Sequence, residues 1–596
     1  MQGHPLGIEL AASLTPDPVW NDLLVEIEKG LHRLESQFSN APAQHKTLKV
    51  VFDASWQRLT AGQQLALCKL SICRGGFTGE AAALIAEVSG TFLADLAGKS
   101  LLRQGPDGRF DFHEAIRQYT EEKLTQSGHT EEAQDLLAGT YTQYLKGYAA
   151  VGDFANRQAG LDWIDLEFDN LRIAWNRLIE TRCAVKISDC ADLLYQFFNI
   201  RSRFAEGIAW FQSAIEGLSP FAPADPVFGM LQSRAGSLAL RARKDDLALE
   251  ALTASFENLS HSGNHHELAF CLIGLGGYHL RKKAYREAHR CADESLAYYR
   301  EANDLSGQSY ALYLSGLIFS RLGNYTAAKE ALTQSLSLCR QNGDRRRLIA
   351  PLNVLGDTAC IEGDYNEAEK MFLEGLEISR ELNDRFNQAI LLNNLATIYQ
   401  YRKQFAKEET VLLESLEICR DIGDLDGEAI GLNNLGEMAV VQGKYSEALE
   451  FSKPALKIAL QLQEDWTIIV CLNNIGEAFL GLKDVQNAGP YFKSAALRCM
   501  NIEAMDLLGR VAVNAAPAFY FNGEKQTAVD LLLAALAHSA TEFESRQKAA
   551  YWLEKLKEDA PQINDDRFLV ETVQKVFGSQ TGYPRQVPGV DQPGRF

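Results

Sequence analysis

Apolar, small and polar positions in the second half of the chain follow one pattern that returns every 40 residues. Gly236, Gly276, Gly316, Gly356, Gly436 and Gly476 share one slot, with Ala396 and Ala516 at the two steps that lack glycine. Twelve positions on, Ala248, Ala288, Ala328, Ala368, Ala448, Ala488 and Ala528 share a second slot. An aromatic residue stands three positions before it at Tyr285, Tyr325, Tyr365, Phe405 and Tyr445. Small residues at fixed places in two successive helices let those helices cross closely, while the aromatic fills the gap at the turn. The pattern predicts a helical hairpin repeated about eight times and stacked as a solenoid, whose continuous surface suits holding a partner.

Turns are marked in the same register. Gly323-Asn324, Gly363-Asp364 and Gly443-Lys444 fall inside hairpins, and Asn303-Asp304, Gly343-Asp344, Asn383-Asp384 and Gly423-Asp424 fall between them. Glycine takes positive φ there without strain. Pro351 lies in a first helical turn, where its missing N–H costs little, whereas Pro454 and Pro490 lie in second helices and predict a kink or a shortening. A last helix near Glu544 to Lys557 predicts a cap, and the tail GSQTGYPRQVPGVDQPGRF predicts disorder.

Upstream the register is lost. Helices are predicted near Thr47 to Arg58, Gly62 to Ser71, Thr78 to Val88 and Thr91 to Lys99. Two strands follow, Leu101 to Gln104 and Arg109 to Phe112, around the tight-turn sequence Gly105-Pro106-Asp107-Gly108. Helices followed by a hairpin describe a winged helix. The next stretch is helical and carries two local signatures, LEFDNLRIAW (Leu166 to Trp175) and RFAEGIAWFQSAIEGL (Arg203 to Leu218), before the proline-rich SPFAPADP (Ser219 to Pro226). The fold class expected is mainly α: an α-solenoid preceded by a winged-helix-like domain and a helical connector.

Composition narrows the function classes. A formal net charge of −19 disfavours nucleic acid as a partner, because that affinity comes largely from lysine and arginine neutralising phosphates. The longest apolar runs are broken by charges and the N-terminus lacks a basic flank and cleavage pattern, so no membrane span or signal peptide is expected and a cytoplasmic location is. The 11 cysteines are scattered without a C-x-x-C pair, which predicts buried free thiols and neither disulfides nor a zinc site.

The 40-residue unit resembles the tetratricopeptide repeat in its longer form, from about Val227 to Ser539, with departures at Glu408, Asp245 and Lys525. The first 220 residues look like the downstream half of a signal-transduction ATPase of the NB-ARC or STAND type. Gly3-His4-Pro5-Leu6 resembles that family's G-x-P motif, and Phe112-His113-Glu114 its M-H-D motif. The resemblance implies that Pro5 would pack on adenine and that His113 would sense the β-phosphate of ADP or ATP. The triphosphate-binding loop G-x-x-x-x-G-K-S/T is not found, so nucleotide binding would need an upstream ATPase module. Gly98-Lys99-Ser100 is a fragment of such a loop, but Leu93 stands where its first glycine belongs. The expected partition is a nucleotide-switch remnant over 1–44, a winged-helix-like domain over 45–125, a connector of irregular repeats over 126–226, the repeat array over 227–540, capping helices over 541–577 and a tail over 578–596.

Candidate chemistry centres on asparagine. Asn353, Asn393, Asn433 and Asn473 repeat in one slot of the first helix, and Asn394, Asn434, Asn474 and Asn514 in the next. By resemblance these slots line the groove, where side-chain amides can donate to and accept from an extended peptide. Asp357, Glu437 and Glu477 lie one turn further on and would favour a basic or polar ligand. The alternative is that each asparagine bonds a neighbouring repeat and sets register; both stay open. No nucleophile with a base and an orienting group is identifiable, so no catalytic residue is expected. His265-His266 beside Glu267 lacks helical ligand spacing, and no metal site is expected. The would-be recognition helix TFLADLAGKS carries one lysine and one aspartate, too little to read bases. The function expected is a non-enzymatic scaffold and sensor for a protein or peptide. The alternatives are the regulatory half of an ATPase switch and, third, a DNA-binding regulator.

Overall fold

The computed structural model describes residues 52–53, 55–150, 154–218, 225–556 and 566–578. Pro5, the expected remnant over 1–44 and the tail beyond Gly578 lie outside the described residues. Two compact units are drawn, one from 1–199, 203–318 and 337–345, the other from 200–202, 319–336 and 346–596.

After short helical stretches at 52–53 and 55–57, the described part of the first unit carries three short helices, α1 (Ala61–Leu70), α2 (Gly79–Ala86) and α3 (Gly90–Gly98). Each is started by a side-chain cap: Thr60 and Gln63 cap reciprocally, Thr78 accepts the Ala81 amide and Ser89 that of Phe92. Strands β1 (Arg103–Gln104) and β2 (Phe110–Asp111) pair antiparallel, with Arg103 opposite Asp111. Phe77 bridges to Phe110 alongside them. The strands are shorter than expected because the Leu101 amide bonds back to Leu96, closing α3 instead of opening a strand. Phe77, Ile85, Leu93 and Leu96 are fully buried beneath.

Four longer helices follow α4 (Glu114–Ser127): α5 (Thr130–Ala150), α6 (Phe154–Glu180), α7 (Ala184–Ile200) and α8 (Phe204–Leu218). The LEFDNLRIAW signature lies in α6, and two of its polar members, Glu167 and Asn170, turn inward. Asn170 accepts the Arg74 amide at 2.6 Å and donates to the Gly76 carbonyl at 2.9 Å. Glu167 accepts from Arg109 and, at 2.9 Å, from the Tyr141 hydroxyl. The signature therefore fastens the hairpin region to the connector. α7 and α8 meet through Phe198 against Trp210 and Phe211, and α8 packs on α9 (Pro226–Arg241) just ahead of the register. The sequence hid this pair because Gln196 and Ile208 occupy the slots where small residues recur. α9 pairs with α10 (Asp245–Leu259) and α11 (His265–Arg281) with α12 (Tyr285–Glu301). α13 (Leu305–Arg321) and α14 (Tyr325–Gln341) are divided between the units.

The second unit stacks five hairpins: α15 (Ile349–Glu362) with α16 (Tyr365–Glu381), α17 (Arg385–Tyr401) with α18 (Phe405–Ile422), α19 (Leu425–Val441) with α20 (Tyr445–Leu462), α21 (Asp465–Gly481) with α22 (Val485–Asn501), and α23 (Met505–Phe521) with α24 (Lys525–Ala537). α25 (Phe543–Leu556) and α26 (Asp566–Phe577) then cover the end, with Leu553, Leu569, Val573 and Phe577 in the core. The turns repeat one two-residue device. Gly363, Asn383 and Gly423 take φ of 82°, 51° and 70°. The next residues, Asp364, Asp384 and Asp424, each accept the amide three positions on at 3.1 Å. The first residue ends one helix and the second caps the next.

Small slots close the hairpins as expected. A Cβ at Gly356 would lie 2.4 Å from the Phe372 ring, so the helices meet closer than any side chain there permits. Pro454 and Pro490 do not shorten their helices: α20 runs 18 residues and α22 runs 17, the same as α17. Packing of the surrounding apolar face outweighs one lost backbone bond, and Pro517 is carried inside α23 the same way. The 11 cysteines are free and nine of them buried, so their thiols serve as small apolar groups.

Candidate functional site

First helices of consecutive hairpins in the second unit pack directly on one another: α15 on α17, α17 on α19, α19 on α21 and α21 on α23. The asparagines stand where these helices meet. Asn394 Nδ2 donates to Asn353 Oδ1 at 2.8 Å, Asn434 to Asn393 at 3.4 Å, Asn474 to Asn433 at 3.0 Å and Asn514 to Asn473 at 3.1 Å. Every rung joins a residue to the one 41 positions later, so the two asparagine slots serve one device. These bonds compensate the poor helix propensity of asparagine. Asn394 spends both N–H groups, on Asn353 and Asp357, whereas Asn434 spends one, so the second N–H of Asn434 and the oxygens of Asn394 and Asn434 keep capacity for a ligand.

The row is graded in exposure. Asn433, Asn473, Asn474 and Asn514 are 5%, 1%, 1% and 4% exposed. Asn353, Asn393, Asn394 and Asn434 are half-buried. Asn393 also donates to Ser415 Oγ at 2.9 Å, and Ser415 donates to the Ala389 carbonyl at 2.9 Å. Ser255 and Ser295 make the same bond to Gly229 and Ala269, a serine row that the sequence reading missed although its 40-residue spacing was visible. At the outer end of the first helices Ile361, Tyr401, Val441 and Phe521 are exposed in a shared slot.

The acids expected beside the row are engaged inside the protein. Asp357 Oδ1 accepts from Asn394 at 3.1 Å, and burial pushes its carboxyl up to about 6 against the opposing pull of Arg321. Glu437 holds Arg510 at 2.5 Å. Glu477 accepts from Asn473 at 3.1 Å, from Asn514 at 2.9 Å and from Lys548 at 2.5 Å. Burial raises its carboxyl, but Lys548 and then Arg510 outweigh that, and it stays below the usual range. Arg510 had a signal in the sequence: it occupies the slot of Ala350, Ile390, Ile430 and Val470. Lys548 lies beyond the register and had none.

The remaining candidates sit apart from the row. His113 caps α4, its ring nitrogen accepting the Ala115 amide at 3.4 Å. His266 bonds Asp304 at 3.1 Å, and its hydrogen bonds to Asp304 and then to Glu267 push its imidazole up to about 9 despite burial. Glu267 is held in turn by fully buried Arg234 at 2.5 Å and 3.0 Å, a pair the sequence reading did not single out. Among the described residues no three His, Cys, Asp or Glu side chains come together as a metal site. Lys99 of the Gly98-Lys99-Ser100 fragment is paired with Asp95 at 2.8 Å. In α3, Leu93 and Leu96 are buried and Asp95 faces outward. No single described helix is long and apolar enough to cross a membrane.

Residues 308–381 and 387–461 match the family model described as tetratricopeptide repeat. Three mycobacterial proteins named as HTH-type transcriptional regulators, from Mycobacterium bovis and two strains of Mycobacterium tuberculosis, are 27% identical over 237 residues. The match covers 36% of this chain and 25% of theirs, so the chain spans about a quarter of the length of the curated relatives it matches. Among solved structures, the signal transduction ATPase with numerous domains that carries a tetratricopeptide repeat sensor, from Pyrococcus horikoshii, is 15% identical. Its TM-score is 0.41, over 97% of this chain and 70% of that one. The Rap protein complexed with Competence and Sporulation Factor is 14% identical at a TM-score of 0.46, over 62% and 99%. The apo quorum sensor NprR from B. thuringiensis is 14% identical at 0.42, over 62% and 100%.

Proposed function

We propose that this chain, which carries tetratricopeptide repeats, is a non-enzymatic scaffold that holds a protein or peptide along the first-helix side of its second unit. The observation that supports it is the graded asparagine row. Its buried half, Asn433, Asn473, Asn474 and Asn514, fixes the stack, and its half-buried half, Asn353, Asn393, Asn394 and Asn434, keeps amide capacity toward solvent. Main-chain amides of an extended peptide match that capacity. Exposed Ile361, Tyr401 and Val441 beside it offer apolar contact. The two uses of asparagine are then divided along the row. The role in a larger regulator, and a cytoplasmic location with no cofactor of its own, belong to the same reading.

The test is selection of displayed random peptides on the full chain, followed by titration of a selected peptide against Asn394→Ala and Asn434→Ala. Loss of roughly tenfold or more in affinity per variant, with the fold retained, is expected for a desolvated amide contact. Unchanged affinity in both variants would sink the assignment of the row.

A second reading rests on the resemblance of Phe112-His113-Glu114 to a nucleotide sensor: the scaffold would be the regulatory half of an ADP or ATP switch whose phosphate loop lies elsewhere. Titration calorimetry of ADP with the chain alone, and with an added nucleotide-binding module, separates the two. Heat that appears only with the module, and disappears with His113→Ala, would favour the switch.

A further inference from the structure

One buried carboxyl stands where seven other repeats have alanine. Glu408, on α18, occupies the slot of Ala248, Ala288, Ala328, Ala368, Ala448, Ala488 and Ala528. It is 2% exposed, and its Oε2 has no hydrogen-bond partner. Alanine fits the same place elsewhere in the stack, so packing does not call for a carboxyl there, and burying one unpaired is costly. The charged group facing it is Glu437 on α19. Glu437 engages Arg510 through Oε1, leaving Oε2 for a further donor. The other first helix packed on α18 is α17, which has one charged side chain, Arg385, paired with Asp421 at 2.8 Å. Two carboxyls thus stand within electrostatic reach of one another, and among the described residues no cation is paired with Glu408.

We propose that Glu408 and Glu437 form a subsite of the second unit that receives the cationic side chain, a guanidinium or an ammonium, of a bound peptide. This rests on the peptide-holding reading above and adds the chemistry of the ligand. The metal alternative lacks a third ligand among the described residues. A guanidinium supplies donors to both carboxyls at once and offsets the cost of burying Glu408. Asn434, three positions before Glu437 on the same helix, stands where an amide would meet the backbone of the same peptide. Burial, then Glu437, pushes the Glu408 carboxyl up to about 7, so acid protonates it and removes the partner of the cation.

The experiment uses the full chain and blocked ten-residue Ser/Gly peptides, densely immobilised, each carrying one central arginine, lysine, citrulline or glutamate. At pH 8 the arginine and lysine peptides should be retained about tenfold better than the citrulline peptide, and that preference should fall about tenfold by pH 6. Glu408→Ala should remove the preference and its pH dependence while melting no lower than the parent. Should that variant fail to fold, Glu408→Gln carries the same comparison. Equal retention of arginine and citrulline peptides, or a preference that survives in either variant, overturns the subsite and leaves the groove reading standing. If none of the four peptides is retained while the displayed-peptide selection succeeds, the subsite again falls alone; if both fail, the groove reading falls with it.

Discussion

Asn474 on α21 donates its Nδ2 to Oδ1 of Asn433 on α19 at 3.0 Å, and both side chains are buried. Each amide satisfies a polar group that the other would leave stranded in an apolar interior. Asn474→Ala removes the donor but leaves the Asn433 oxygen buried, so a loss of about 1–3 kcal/mol is expected in urea denaturation. Asn394→Ala, at the half-buried end, should cost less than about 1 kcal/mol because water can replace the amide. Equal costs at the two sites would show that exposure does not grade the row.

Glu167 gathers Arg109, Tyr141 and Asn170 around one carboxylate that is 1% exposed. Glu167→Ala would leave the buried Arg109 guanidinium without its partner, at a cost of about 3–5 kcal/mol. Glu167→Gln keeps the shape and should cost less. Amide exchange of the Arg103–Asp111 hairpin is the readout: faster exchange there in the alanine variant is expected, and unchanged exchange would mean that the hairpin is held by its own core.

Gly356 meets Phe372 more closely than a methyl allows. Gly356→Ala should therefore lower the melting transition by an amount equivalent to about 1–3 kcal/mol, and adding Phe372→Leu should recover part of it by making room. Strictly additive effects in the double variant would contradict the contact.

Glu408 also gives stability a direction with pH. Its folded carboxyl sits at about 7, above the ordinary glutamate value of 4.5, so the folded state binds the extra proton between those limits. Stability from this site is thus present in acid and declines as pH rises from about 5 to 7. Glu408→Ala should be flatter over that window and, at pH 8, more stable than the parent by about 1–3 kcal/mol. A parent that gains stability across the same window relative to the variant would refute the assignment.

The sequence was most legible where geometry repeats. Glycine and alanine slots marked the close helix crossings, and Asn383-Asp384 or Gly423-Asp424 marked both the end of one helix and the cap of the next, because both demands are local. The asparagine slots were equally visible, but their use was not: whether an amide faces a ligand or the amide 41 residues on depends on how closely two helices approach. Arg510 and Glu408 each broke an apolar slot and so could be seen, yet the carboxyl that each faces, Glu437, lay two hairpins or one hairpin away and needed coordinates. Pro454 and Pro490 do not shorten their helices, because packing that the sequence does not display carries α20 and α22 through them.

The Arg510–Glu437 bond differs from the asparagine rungs in reach. Each rung links a hairpin to the next, whereas Arg510 on α23 passes α21 and holds α19, 73 residues back. Nearest-neighbour links alone would let the stack fray one hairpin at a time, as a one-dimensional chain of units does. A tie that skips a unit makes the last three hairpins open together. Their slowest amides should then share one opening free energy in native-state exchange, and Arg510→Ala should split that shared value into a staircase.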